Sequence, residues 1–240
     1  MRSTRASLVL LLLTAAVPAA GAAAAAPKTE CDKAIERFDA QYGSKSDDAA
    51  FAAVQALEKT CAKPDKAHAR ALSRVGIVQF GRKDIVEAAV AFEAAAELNP
   101  TDPVLRMNVC GALTELQRHD DAIAACEAGL EMAKAQDDGS ADKRDTVLKL
   151  GFNLALAKVR RGRSICSDQT IYDAFEAFRA ANPDNGWAHQ MVGAWFWDCE
   201  DDFDKGFAMY KKSCALGHEP SCEQVRYTES CRCETRLKDS

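Results

Sequence analysis

Apolar residues recur three and four positions apart along most of the chain, which is the spacing of one face of an α-helix. Val86, Val90 and Phe92, with alanines between and beyond them, are one example. Ala, Leu, Glu, Lys and Arg dominate, and runs of β-branched residues are missing. Turn-forming pairs such as Asn99-Pro100 and Asn182-Pro183 separate the periodic segments. The pattern predicts an all-α protein.

A second and longer period joins successive helices. Val75-Gly76 and Val109-Cys110 are 34 residues apart, and Ala88-x3-Phe92 and Ala122-x3-Cys126 are separated by the same distance. This pattern resembles the tetratricopeptide repeat, a helix–turn–helix unit with an apolar–small pair in its first helix and Ala-x3-aromatic in its second. The resemblance implies a right-handed α-solenoid of stacked antiparallel helix pairs. A helical bundle without repeats is the alternative.

Further copies of this unit are less regular. Leu150-Gly151 precedes Ala174-x3-Phe178 with an inserted turn, and Val192-Gly193 precedes Gly206-x3-Tyr210. The segment from Cys31 to Cys61 looks like a degenerate first hairpin. We therefore expect about five helix pairs over residues 27–226, followed by a C-terminal tail over residues 227–240.

One segment has a second resemblance. Residues 210–222, with the sequence YKKSCALGHEPSC, resemble the end of a Sel1-like repeat, a related α-solenoid. In cysteine-rich members of that group a disulfide crosses the loop between repeats, and here it would join Cys214 and Cys222.

The N-terminus has the pattern of a signal peptide over residues 1–26. Arg2 and Arg5 precede a short apolar run from Leu8 to Val17, and an alanine-rich stretch offers several cleavage sites before Pro27. The apolar run is too short to span a bilayer. We therefore expect an exported protein, periplasmic or secreted, with no membrane span in the mature chain.

Export changes how the ten cysteines are interpreted, because an oxidising compartment favours disulfides over metal sites. The hairpin symmetry predicts Cys31–Cys61 and Cys110–Cys126, and stacked turns predict Cys166–Cys199. The Sel1-like resemblance implies Cys214–Cys222. The partners of Cys231 and Cys233 stay open: a strained local bridge, exchange with Cys222 and an intermolecular bond are all compatible with the sequence.

Charge and motifs restrict the function. The net charge of -5 is opposite to the basic surface of a nucleic-acid binder. We expect no cofactor and no bound metal. A zinc site from Cys214, His218 and Cys222 together with Cys231 and Cys233 is the weaker alternative to disulfides. Ser140-x-x-Lys143 matches a nucleophile motif of penicillin-recognising enzymes, but we expect it in a polar loop, and no partner motif follows. We expect no enzymatic activity.

The resemblance implies a concave groove, lined by the first helix of each pair, that binds an extended peptide or a partner helix. Projecting the repeat onto this chain predicts nine groove residues: Arg70, Ile77, Met107, Thr114, Leu148, Phe152, Trp187, Gln190 and Trp197. Alternatively, Phe152 and Trp197 belong to the core between repeats.

The expected function is therefore that of an exported scaffold binding a protein or peptide of unknown identity. Two alternatives differ in class: a cell-wall-related enzyme of the Sel1-like type, and a thiol or metal protein that uses Cys231 and Cys233.

Overall fold

The structure is a computed structural model that describes residues 28–43, 45–162 and 165–238, with side chains described as far as residue 230. The predicted signal peptide lies outside these residues. Within them the chain forms eleven α-helices, one 3₁₀ turn (Ile165–Ser167) and no strand. The helices are α1 (Glu30–Gln41), α2 (Asp48–Thr60), α3 (Lys66–Arg82), α4 (Ile85–Leu98), α5 (Pro103–Glu115), α6 (His119–Ala135), α7 (Ala141–Arg160), α8 (Gln169–Ala181), α9 (Gly186–Asp198), α10 (Phe203–Ala215) and α11 (Glu219–Lys238).

Successive helices form pairs, and the pairs stack. The five pairs run from α1/α2 to α9/α10, and the second helix of each pair also contacts the first helix of the next. The all-α solenoid predicted from the repeat is confirmed. The expected boundary at residue 226 falls inside α11, because the helix continues without interruption beyond it.

Aspartate side chains start several of these helices. Asp47, Asp65 and Asp102 each accept a hydrogen bond from a backbone N–H of the first turn, which satisfies a donor that the helix itself leaves unpaired. The turns within two of the pairs share a backbone conformation. Lys83 and Gln117, which are 34 residues apart, both have a positive φ, of 71° and 59°. The repeat period is therefore visible in the backbone as well as in the sequence.

Small residues bring the two helices of a pair together, as the resemblance implies. A Cβ on Gly76 would lie 2.5 Å from the Phe92 ring, so the ring packs directly on the α3 backbone. A Cβ on Gly193 would lie 3.2 Å from the carbonyl oxygen of Gly206. In the second regular repeat the positions of Gly76 and Phe92 belong to Cys110 and Cys126, which are bonded at an Sγ–Sγ distance of 2.04 Å. A covalent bond thus replaces the glycine–ring contact.

The structure pairs eight cysteines in the combinations that the sequence predicts: Cys31–Cys61, Cys110–Cys126, Cys166–Cys199 and Cys214–Cys222. Three of these bonds join helices adjacent in the chain. Cys166–Cys199 differs, since it joins the inserted turn after α7 to the end of α9 and so links two successive pairs. Side chains at Cys231 and Cys233 lie outside those described.

Apolar side chains in three clusters fill the solenoid. The first is formed by α1, α2 and α3 with one residue of α4, the second by α3, α4, α5 and α6 with one residue of α7, and the third by α7, α8 and α9. Within the part of the chain that the structure describes, no helix is both long enough and apolar enough to cross a bilayer.

Candidate partner-binding groove

The first helices of four successive pairs, α3, α5, α7 and α9, line one groove of about 340 Å³. One residue of α4, Phe92, also contributes to the lining; it is buried, and its ring packs on Gly76. The groove residues are Ile77, Phe80, Phe92, Met107, Asn108, Gly111, Thr114, Glu115, Asn153, Leu156 and Trp187. This volume is near the lower end of the range for ligand pockets, about 300–1,000 Å³, so it fits a few side chains and not a whole helix.

The lining is mainly apolar with a few neutral polar groups. The Asn108 amide donates a hydrogen bond to the Ser73 hydroxyl at 3.2 Å, and the Thr114 hydroxyl donates to the Cys110 carbonyl at 2.8 Å. Glu115 is the titratable residue of the lining, and its carboxylate is paired with Arg160 at 2.6 Å. Among these lining residues, no nucleophile lies beside a base. The groove can therefore bind apolar groups.

Gly111 distinguishes this groove from an ordinary helix surface. It lies in the interior of α5, where glycine costs about 1 kcal/mol relative to alanine. Unlike Gly76 and Gly193, it has no packing reason to be small, since a Cβ at this position would meet no heavy atom within 4 Å. Its missing side chain leaves the α5 backbone open to the groove.

Four of the nine predicted groove residues line it: Ile77, Met107, Thr114 and Trp187. Trp187 stands at the far end from Ile77. Its ring packs edge-on against Phe152, with the ring centroids 4.8 Å apart. The indole is therefore held in place on one side while it contributes to the groove wall.

Three of the other predicted residues have side chains that pack outside this groove, and for Phe152 this is the core position given above as the alternative. Phe152 is 2% exposed and packs among the rings of α8, so it belongs to the core. Leu148 lines a separate cavity between α6 and α8. Trp197 packs edge-on against the rings of Phe203 and Tyr210, within its own helix pair.

Two further predicted residues lie on first helices but outside the groove. Arg70 is bonded to Asp32 of α1, and Arg74 one turn later donates two hydrogen bonds to Asp39, at 2.8 and 2.7 Å. These ion pairs fasten α1 to α3 and occupy the Arg70 guanidinium. Gln190 is partly buried on α9 and does not contribute to the groove lining.

Comparison with known proteins supports the repeat assignment. A sequence profile of the tetratricopeptide repeat matches residues 79–140. MamA from Desulfovibrio magneticus RS-1 (residues 41 to the end) superposes with a TM-score of 0.53 at 16% identity, over 79% of this chain and 94% of MamA.

YrrB, described as a TPR protein with an unusual peptide-binding site, gives a TM-score of 0.50 at 15% identity, over 82% of this chain and 97% of its own. At these identities the likeness shows the fold alone. A comparison with curated protein sequences gives no match.

The tetratricopeptide register shows which of the other groove residues could be predicted from the sequence and which could not. Gly111 follows the small position of its repeat by one residue, so it falls where Ile77 stands in the repeat before. A glycine at that position is not needed to pack the two helices of a pair together, so the sequence does carry a signal for Gly111. Phe80, Asn153 and Leu156 carry no comparable signal, because an apolar or amide side chain on a first helix is equally common outside a groove.

Other constellations have structural explanations. Ser221 Oγ lies 3.0 Å from His218 Nδ1 and 2.7 Å from Ser213 Oγ, but both serines are fully buried, so no substrate reaches them. Their hydrogen bonds, including one from Ser213 to the Gly186 carbonyl at 2.6 Å, join α9, α10 and α11. Cys214 and Cys222 are bonded to each other and hold no zinc. Ser140 is the N-cap of α7, so the Ser140-x-x-Lys143 motif lies at the start of a helix and not within a polar loop, contrary to expectation.

Proposed function

We propose that the protein is an exported, non-enzymatic scaffold that binds an apolar segment of a protein or peptide partner in the groove between α3 and α9. The observation that carries this proposal is Gly111. This glycine lowers the stability of α5, and no neighbouring side chain requires a residue without a Cβ at that position. A partner that approaches the α5 backbone closely would explain why glycine stands there.

Trp187 is the proposed anchor of the partner. Tryptophan is enriched among the residues that dominate binding energy, since its large ring buries much area and loses little conformational freedom. Phe152 already fixes one edge of this ring. Held in that way, the indole is preorganised, and a partner would bury it at a low entropic cost.

Export is proposed because of the disulfides. Four bonded pairs within one chain are typical of oxidising compartments, and they are rare in the cytosol. Peptide binding by YrrB, a protein of the same fold, makes a peptide or protein segment the natural class of ligand. The mainly apolar lining, in which the Glu115 carboxylate is already paired with Arg160, favours a segment without charged residues at its centre.

The proposal is tested by capturing partners from the cell envelope of the source organism with immobilised wild-type protein and with a Trp187→Ala variant. The partner bound by the wild type should bind the variant about 30-fold more weakly, as expected for loss of an anchor worth about 2 kcal/mol. Lys158→Glu, a change outside the groove that breaks the ion pair with Asp168, is the control. Normal binding by Trp187→Ala together with lost binding by Lys158→Glu would contradict the proposal.

A further inference from the structure

Helix α4 has an exposed apolar surface away from the groove. Val86 and Val90, one helical turn apart, are 59% and 62% exposed. They border a valley of about 580 Å³ with α2 on one side, α4 on the other and α3 as its floor. We call this feature the α2–α4 valley. Its lining comprises Glu58, Leu72, Val75, Gln79, Val86, Glu87, Val90, Ala91 and Ala94.

The equivalent helices of other repeats lack this pair of valines. Aligned on the Ala-x3-aromatic position, the residues that correspond to Val86 and Val90 are Asp120 and Ala124 in α6, and Asp204 and Ala208 in α10. All four of these positions are exposed. In α8 the corresponding residues are Tyr172 and Glu176. Among these helices, α4 alone therefore has apolar side chains at both positions.

The composition of α4 also indicates a covered helix. Apart from Glu87, Glu93 and Glu97, every residue from Ile85 to Leu98 is apolar, so apolar side chains lie all around the helix. A helix of that kind is normally buried on every side. Here one side is open in the described part of the chain.

The charge of the valley restricts what can cover it. Glu58 and Glu87 are its two charged residues, both are exposed, and neither makes an ion pair within the described residues. A second copy of the chain placed valley to valley would bring these carboxylates together, and like charges at an interface are unfavourable. Cationic side chains would instead complement them.

We propose that the α2–α4 valley binds a basic amphipathic helix of a partner protein. Its apolar face would contact Val86 and Val90, and its lysine or arginine residues would pair with Glu58 and Glu87. A trough between two helices matches the shape of a third helix, which is a common mode of recognition. This surface is separate from the groove and does not depend on it.

The test uses a synthetic amphipathic helix of leucine and lysine, labelled with a fluorophore and titrated with the protein. The double variant Val86→Ala/Val90→Ala removes the exposed apolar side chains without adding a charge, and alanine favours the helix, so the fold should tolerate it, which circular dichroism checks. We expect this variant to bind the peptide at least about tenfold more weakly than the wild type. Val104→Ala, which trims a valine that is 40% exposed on α5, should bind normally.

Charge is tested separately, with variants that keep the shape of the valley. Glu58→Gln/Glu87→Gln should weaken binding and reduce its dependence on salt, and a leucine–glutamate helix of the same pattern should bind at least about tenfold less tightly than the leucine–lysine one. Trp187→Ala should bind normally, which separates this surface from the groove.

Three results would overturn the inference. The first is equal binding of the peptide by the wild type and Val86→Ala/Val90→Ala. The second is equal binding of the acidic and basic helices. The third is a wild-type dimer in sedimentation that the double variant abolishes, because a second copy would then cover the valley.

Discussion

Replacing Gly111 by alanine should raise stability and impair binding together. The new methyl group meets no heavy atom within 4 Å, so the substitution causes no clash and removes the helix penalty of glycine. We expect the free energy of unfolding to rise by about 0.5–1 kcal/mol. In a urea titration the midpoint should increase while the slope stays unchanged.

The effect on binding has the opposite sign. The methyl group enters the groove where the partner is proposed to approach the α5 backbone, and overfilling a packed contact costs about 1–3 kcal/mol. Gly151→Ala is the matched control. A Cβ there makes an ordinary contact of 3.9 Å with Ala174, and Gly151 lines the separate cavity that contains Leu148.

Both alanine variants should therefore be more stable than the wild type, and only Gly111→Ala should bind the captured partner more weakly. If Gly111→Ala binds as tightly as the wild type, the proposed approach to the backbone is wrong. If it is less stable than the wild type, the space beside Gly111 is not open.

Three further predictions concern stability. Phe152→Ala should lower the free energy of unfolding by about 3–5 kcal/mol, because it empties a core position. A loss below about 1 kcal/mol, measured by urea titration, would contradict the assignment of Phe152 to the core. Cys110→Ala/Cys126→Ala should lower it by about 3 kcal/mol, as expected for opening a loop of this length. Cys110→Gly/Cys126→Phe, which copies the repeat before, should recover part of that loss. Hydrogen bonding to Arg179, at 2.7 Å, holds the pKa of Glu176 below its ordinary value of 4.5. The ionised carboxylate therefore stabilises the fold above pH 4.5, and this contribution disappears as the pH falls through the lowered pKa. Melting temperatures of Glu176→Gln should accordingly vary less with pH below 4.5 than those of the wild type.

The repeat period predicts the fold and the Cys110–Cys126 pair because both depend on local geometry. A 34-residue spacing places Cys110 and Cys126 at the positions of Gly76 and Phe92, which touch across a pair of helices. Residues equivalent to a contacting pair can be joined by a short bond without any change in the backbone. No tertiary knowledge beyond the repeat is needed for that inference.

The groove is harder to predict, because it depends on how side chains from different repeats meet. Phe152 has the same place in its repeat as Ile77, yet Trp187 and the rings of α8 cover it. Val86 and Val90 are the opposite case, since they are apolar residues of a helix whose side chains are exposed. Their spacing correctly predicts a helix, but periodicity alone does not distinguish a core face from an exposed one.

The central claim is that the groove contacts a partner, and site-specific photo-crosslinking tests it most directly. A photoreactive phenylalanine derivative would replace Met107, which lines the groove, and Glu127, which is exposed on α6. Irradiation in the native envelope should give a discrete adduct from position 107, and Trp187→Ala should remove it. An adduct from position 127 alone, or one from position 107 that Trp187→Ala leaves unchanged, would contradict the account.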